Sequence, residues 1–278
     1  MAAVLLAVGA AVVWGAGDFF GGKASQRGRP LAVTVVSQLA CLPVLGLALA
    51  LLPGAAPAGT DLAWGLAAGA AGFLGIVLLY GGLSSGAMTV VAPITAVTAA
   101  ALPLVVGVVI DGSPGPIALL GAGLAVVAIA LVSAGPRAQW RVVSRRLLGI
   151  ALASGAMFGL FFVLLAQARS GSGMWTLVAV RAGSLGLGFA IIGLTRTSLR
   201  LPAGTLQWAV PAGMGDIAAN AFYLAAAQHG PLSIVAPIAA LYPATTVLLA
   251  IAVERERVRP VQMVGLGLAG GALVVIAA

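Results

Sequence analysis

The sequence predicts an all-α polytopic membrane protein in which ten transmembrane helices form two inverted five-helix repeats. Of the 278 residues, 62% are hydrophobic and 7% are charged, which is more apolar surface than one soluble core of this length can bury. The second half also repeats the first. IVAPI at Ile234–Ile238 matches VVAPI at Val90–Ile94, and Tyr223 matches Tyr80, at offsets of 144 and 143 residues.

Apolar segments long enough to cross a bilayer follow one another along the chain, bounded by charges, Pro or Gly. In the first half, the boundaries are a basic link that starts at Lys23, then Pro53, the turn at Ser84–Gly86 and the link at Asp111–Pro116. The second half gives five more segments after an arginine-rich stretch. The predicted spans are 2–22, 31–52, 62–82, 87–110, 116–134, 146–168, 174–194, 206–228, 232–253 and 260–278.

The number of spans in each half determines the relationship between the halves. Five is odd, so the second copy must enter the membrane in the opposite orientation to the first. Such inverted repeats are typical of secondary transporters, whose substrate site lies near the midplane between the repeats. We therefore predict a first repeat at 1–134, a basic connecting loop at 135–145 and a second repeat at 146–278.

The basic residues predict an orientation. Twelve of the 14 Lys and Arg residues lie in the links after the odd-numbered spans. By the positive-inside rule these links face the cytoplasm, which places both termini outside. The net charge of +8 is thus a topology signal, and no basic groove with interleaved aromatic residues indicates a nucleic-acid partner.

Two catalytic motifs occur by chance. Gly17–Lys23 has the spacing of a phosphate-binding loop but lacks the following Ser or Thr and the preceding strand. Gly82–Gly86 reads GLSSG, and Ser84 with His229 could be considered a protease dyad, but both residues lie in predicted turns. One His and one Cys, Cys41, cannot form a metal-ligand cluster. We therefore predict no enzyme activity, no metal and no cofactor.

Ionisable residues at membrane depth suggest a substrate contact or a relay. Asp216, Asn220 and Tyr223 fall on one face of span eight. Counted at the helical rise, Asp216 lies about 15 Å from one surface and Arg181, in the antiparallel span seven, about 10 Å from the other. We predict an Arg181–Asp216 pair. It is either an anchor for a charged or zwitterionic substrate or a structural ion pair.

Asp18 lies about one turn inside Lys23 and on the same face as Trp14, four residues earlier. If Asp18 faces a cavity, it is a candidate for proton coupling, because burial disfavours its charged form. If it reaches the interface or pairs with Lys23, it is only an anchor. Both interpretations remain open, and Trp14 and Asp18 are included in the predicted substrate site.

Two further groups are predicted from the repeat. Tyr80 and Tyr223 either line the cavity from opposite sides or lie at the lipid interface, where tyrosines accumulate. Pro93, Pro237 and Pro243 lie inside spans four and nine, where each removes a helical hydrogen bond. They are predicted to kink or gate these spans, or to be plain kinks packed in protein.

The motifs taken together resemble the drug/metabolite transporter superfamily, EamA type. The matching pieces are the Trp14–Gly15 pair followed by Lys23, API at Ala92–Ile94 and at Ala236–Ile238, and Glu256, Pro260 and Gln262 around the last link. The resemblance implies ten helices in two inverted repeats around a central cavity, and transport of metabolites, amino acids or drugs by alternating access. It also implies termini inside the cell, which conflicts with the charge rule.

We predict a secondary transporter of small organic solutes in the cell (plasma or inner) membrane, with export as the favoured direction. The sequence has no nucleotide site, so an ion gradient or a partner would have to drive accumulation, and proton coupling is one option. The competing interpretation is a non-transporting scaffold or assembly subunit in the bilayer. The substrate and the oligomeric state are left open.

Overall fold

The computed structural model describes residues 1–51, 57–83, 88–134, 144–168, 172–254 and 259–277. Within these ranges all regular secondary structure is α-helical. The first repeat contains α1 (Ala2–Ser25), α2 (Pro30–Ala40), α3 (Leu42–Leu51), α4 (Gly59–Leu83), α5 (Met88–Asp111) and α6 (Pro116–Val132). The second contains α7 (Arg145–Ala166), α8 (Trp175–Thr195), α9 (Leu206–His229), α10 (Leu232–Ala239), α11 (Tyr242–Glu254) and α12 (Pro260–Ala277).

These twelve helices of the described chain make ten membrane segments, because α2 with α3 and α10 with α11 each form one broken span. Seven segments meet both the length and the hydropathy needed to cross a bilayer, and α6 and α12 are shorter apolar helices. The remaining segment, α9, is 24 residues long but carries the polar stripe of Asp216 and Asn220. The predicted fold class, with ten helices in two inverted repeats, is confirmed.

Proline causes both broken spans. Pro43 and Pro243 each occupy the second position of the helix that follows the break, α3 and α11. Proline lacks an N–H and its ring clashes with the carbonyl four residues earlier, so it fits best in the first turn of a helix and favours a break just before it. The break in span nine falls between two predicted kink residues, Pro237 and Pro243. The break at Cys41 in span two was not predicted.

Equivalent glycines make equivalent contacts in the two repeats. A Cβ added at Gly69 of α4 would overlap the carbonyl oxygen of Val180 in α8. A Cβ added at Gly213 of α9, 144 residues later, would overlap the carbonyl oxygen of Ser37 in α2. Span three therefore packs on span seven as span eight packs on span two. This exchange of partners is what an inverted repeat requires.

The contact between α1 and α9 positions the candidate site. A Cβ built at Gly215 would lie 3.2 Å from the Cα of Gly17, so the two backbones cross closely where both residues are glycine. Gly17 lies between Trp14 and Asp18 on α1, and Gly215 precedes Asp216 on α9. The crossing therefore brings side chains of the first repeat against the charged residue of the second.

Candidate functional site

Asp216 is the residue on which the site converges. Its Oδ2 accepts a hydrogen bond from Nη2 of Arg181 on α8. Its Oδ1 accepts another from Nε1 of Trp14 on α1, at 3.1 Å. The carboxylate is thus held by one donor from each repeat. The Asp216 side chain is 38% accessible, although it lies in the middle of α9.

Arg181 is the buried partner of this pair. Its side chain is 4% accessible, and its Nε has no hydrogen-bond partner within the described part of the chain. The ion pair predicted from helix depth is therefore formed, with a buried guanidinium and a carboxylate that is open on one side. A buried donor without a partner costs free energy.

Asn220 lies one turn after Asp216 on the same face of α9. Its Nδ2 donates to the backbone carbonyl of Asp216 at 2.7 Å. Its Oδ1 is buried and has no partner among the described residues. The predicted stripe on span eight therefore contains a buried acceptor without a partner, one helical turn after the carboxylate that pairs with Arg181.

An aromatic cluster supports the indole of Trp14. The ring centroids of Phe161, Phe162 and Tyr223 lie 6.3, 5.4 and 5.8 Å from that of Trp14. Tyr223 is fully buried, and its hydroxyl donates to the carbonyl of Phe162 at 2.9 Å. In this conformation Tyr223 therefore lies behind Trp14, away from both lipid and accessible space, and it fixes the orientation of the indole.

Asp18 provides the second carboxylate. It is accessible, one helical turn after Trp14, and it lies close enough to Asp216 and to Tyr242 of α11 to interact with both electrostatically. The site thus combines two carboxylates with one guanidinium. This places an excess of negative charge beside an accessible surface at membrane depth, where a charge is costly unless it is paired or used.

Several neighbours of the site were missed by the sequence analysis. Cys41, at the break in span two, is close enough to interact with Arg181 and Asp216. The preceding turn contributes Gln38, which is 6% exposed and whose Oε1 has no partner in the described chain. Tyr242 follows the break in span nine and is half-buried. Pro43 and Pro243 are the sequence features that could have indicated these neighbours. Each marks a broken helix, and a broken helix inside a membrane must line a cavity or be buried in protein.

The remaining predicted residues are distributed as follows. Pro237 is buried and Pro243 is half-buried. The side chains of Tyr80 and Pro93 lie outside the described residues. Ser84 also lies outside them, so the Ser84–His229 pair is not described. Among the described residues, no group of three or more His, Cys, Asp or Glu side chains could hold a metal ion.

Comparison of the whole sequence with known protein families identifies the family of this chain. The sequence matches the EamA-like transporter family over residues 1–134 and again over residues 146–278. This chain belongs to the EamA-like transporter family. It is therefore a multi-pass membrane transporter of small solutes, as its resemblance to the drug/metabolite transporter superfamily implied.

The fold of this EamA-like transporter also occurs in a solved structure. This solved structure is described only as "Crystal structure of protein". It superposes on this chain with a TM-score of 0.78 and 14% sequence identity, and the match covers 98% of this chain and 95% of the other. At that identity the similarity concerns the fold alone. No curated protein matches the chain.

Proposed function

We propose that the chain is a secondary transporter that exports a charged or zwitterionic organic solute by alternating access across the plasma or inner membrane. The repeats at 1–134 and 146–278 would move about the central site, joined by the basic loop at 135–145. The observation that carries the proposal is the Trp14–Asp216–Arg181 triad: it joins both repeats at membrane depth, and its carboxylate is 38% accessible.

The unsatisfied groups support the choice of solute. Nε of Arg181 is a donor, and Oδ1 of Asn220 is an acceptor, and both are buried without partners in the described chain. Asp18 and Asp216 add negative charge on the accessible side. A solute with an ammonium group and an anionic or carbonyl oxygen would satisfy all four groups, and amino acids have this pattern.

Proton coupling is the driving force that we propose. Asp18 is accessible and lies near a second carboxylate, Asp216. Two like charges in a medium of low dielectric favour protonation of one of them. A proton bound at Asp18 and a cationic group of the solute would therefore compete for the same negative site, which couples their movements in opposite directions.

The competing function, a non-transporting scaffold, is favoured by one observation. Arg181 is nearly inaccessible, as expected for an ion pair that only joins α8 to α9. A scaffold, however, gains nothing from buried polar atoms without partners, because each of these destabilises the fold.

A pair of variants tests the proposal. Purified protein is reconstituted in liposomes, and the uptake of radiolabelled amino acids and organic cations is compared with empty liposomes. Asn220→Leu removes an unsatisfied acceptor, so we expect folded yield to be kept and flux to be lost. Gln207→Leu, at the exposed start of the same helix, is the matched control and should keep both. If no solute in the panel moves faster than through empty liposomes, the proposed charged or zwitterionic solute class is wrong.

A further inference from the structure

A cavity separate from the triad lies between the link from α1 to α2 and the link from α8 to α9. It has a volume of about 540 Å³. Three arginines line it, Arg27 and Arg29 from the link between α1 and α2 and Arg200 from the link between α8 and α9. No carboxylate occurs among the described residues of its wall. The cavity thus gathers three positive charges from both repeats.

Local packing fixes this arrangement. A Cβ at Gly28 would lie 3.1 Å from Val33 and 3.2 Å from Leu201, so the two links touch each other at a position without a side chain. The guanidinium carbon of Arg27 lies 5.4 Å from the ring centroid of Trp208. A guanidinium stacked on an aromatic face keeps the N–H groups at its edge free to donate in the plane.

The position of the cavity at the ends of membrane helices places it at the level of the lipid headgroups. The links that form it connect helix ends, Ser25 of α1 to Pro30 of α2 and Thr195 of α8 to Leu206 of α9. Helix ends of membrane segments lie at the level of the lipid headgroups, and tryptophans such as Trp208 accumulate there. Basic pockets between transmembrane helices at this level bind the phosphates of anionic lipids.

We propose that this cavity binds the phosphate headgroup of an anionic phospholipid. The phosphate accepts hydrogen bonds from Arg29 and Arg200, with Arg27 held beside them by Trp208. Because Arg27 and Arg29 belong to the first repeat and Arg200 to the second, a bound lipid joins the two repeats at this end. The proposal does not depend on the identity of the transported solute.

The test compares lipids on purified protein in detergent. Phosphatidylglycerol or phosphatidylcholine is added, bound lipid is counted by native mass spectrometry, and the midpoint of thermal unfolding is measured. We expect phosphatidylglycerol to be retained and to raise the midpoint, and phosphatidylcholine to do neither. Arg29→Gln and Arg200→Gln should each weaken the apparent affinity about fivefold, which corresponds to about 1 kcal/mol per arginine. The triple Arg27→Gln/Arg29→Gln/Arg200→Gln variant should abolish retention.

The matched control removes the same charge from the same end of the bundle. The triple Arg145→Gln/Arg146→Gln/Arg259→Gln variant carries its changes at the start of α7 and just before α12, and it should retain phosphatidylglycerol as the unmodified protein does. Equal loss in both triples, or equal binding of the two lipids, would overturn the proposal in favour of a general surface attraction. Displacement of the lipid by millimolar inorganic phosphate would instead assign the cavity to a soluble phosphate.

Discussion

Nε1 of Trp14 donates a hydrogen bond to Oδ1 of Asp216 across the interface between the two repeats, at 3.1 Å. Asp216 also accepts from Arg181 within its own repeat. The carboxylate is therefore oriented by both halves of the molecule at once. If the halves rock against each other during transport, this hydrogen bond is one of the contacts that must change.

The first prediction concerns that hydrogen bond. Trp14→Phe keeps an aromatic ring in the cluster and removes the N–H donor together with the five-membered ring of the indole. A hydrogen bond to a charged group contributes about 1.5–3 kcal/mol, so we expect flux in liposomes to fall about tenfold or more. Trp64→Phe is the control, because Trp64 is 39% exposed on the outer surface. Equal flux in the two variants would remove Trp14 from the site.

The second prediction distinguishes tyrosines that stabilise the fold from tyrosines that affect flux. Tyr223→Phe removes the hydrogen bond to the Phe162 carbonyl, so we expect stability to fall by about 1 kcal/mol with a small change in flux. Tyr242→Phe, beside Asp18, should lower flux and leave stability nearly unchanged. Thermal unfolding and liposome flux are measured for both, with Tyr80→Phe in parallel. Loss of flux at unchanged stability in Tyr223→Phe would instead make Tyr223 a solute contact, as the sequence analysis predicted.

Helix depth predicted one contact of this site well. Arg181 and Asp216 lie on consecutive antiparallel helices at similar depth, which the helical rise alone gives. The helical rise does not give the direction in which each side chain points around its helix, so only the structure shows that the two residues pair. The contact of Trp14 with Asp216 could not be predicted, because it depends on how α1 crosses α9 at two glycines more than 190 residues apart.

The break at Cys41 shows a second limit. A search for about twenty apolar residues finds span two whether or not it is broken, since hydropathy does not detect a missing N–H. Pro43 carried the information, but prolines are common inside membrane spans and most are tolerated. Pro211 is an example within α9, which continues through it without a break. Cys41 was therefore missed as a neighbour of Arg181.

The third prediction concerns coupling to protons. If Asp18 carries the proton that exchanges for solute, Asp18→Asn should abolish accumulation driven by a pH gradient and preserve exchange of labelled for unlabelled solute. The reason is that exchange needs solute binding but no change of protonation. Asp111→Asn is the control, because an amide oxygen can still accept from the backbone N–H of Leu232. Intact gradient-driven accumulation in Asp18→Asn would assign the coupling elsewhere.

The fourth prediction concerns orientation. Cys41 is fully buried, so the unmodified protein serves as the blank for a membrane-impermeant thiol reagent. Ala203→Cys lies in an exposed odd-numbered link and Ser113→Cys in an exposed even-numbered one. By the positive-inside rule, we expect Ser113→Cys to react in intact cells and Ala203→Cys only after permeabilisation. The reverse pattern would place the termini inside, as the family resemblance implied.

The last prediction concerns the buried ion pair, and the structure makes it asymmetric. Asp216→Ala leaves the guanidinium of Arg181 buried without a partner, which should cost about 3–5 kcal/mol. Arg181→Ala leaves a carboxylate that is 38% accessible and still accepts a hydrogen bond from Trp14, so the loss should be smaller. Folded yield after detergent extraction should therefore rank Asp216→Ala below Arg181→Ala.

The double variant distinguishes a substrate site from a structural pair. Arg181→Leu/Asp216→Leu removes both charges, so no uncompensated charge remains and the yield should recover in either case. A substrate site then predicts abolished flux, because the solute has lost both charged partners. A structural pair predicts that flux recovers together with yield. Measured on the same preparations, normal flux in the double variant would exclude both residues from the site and leave Asp18 and Asn220 as the groups that contact the solute.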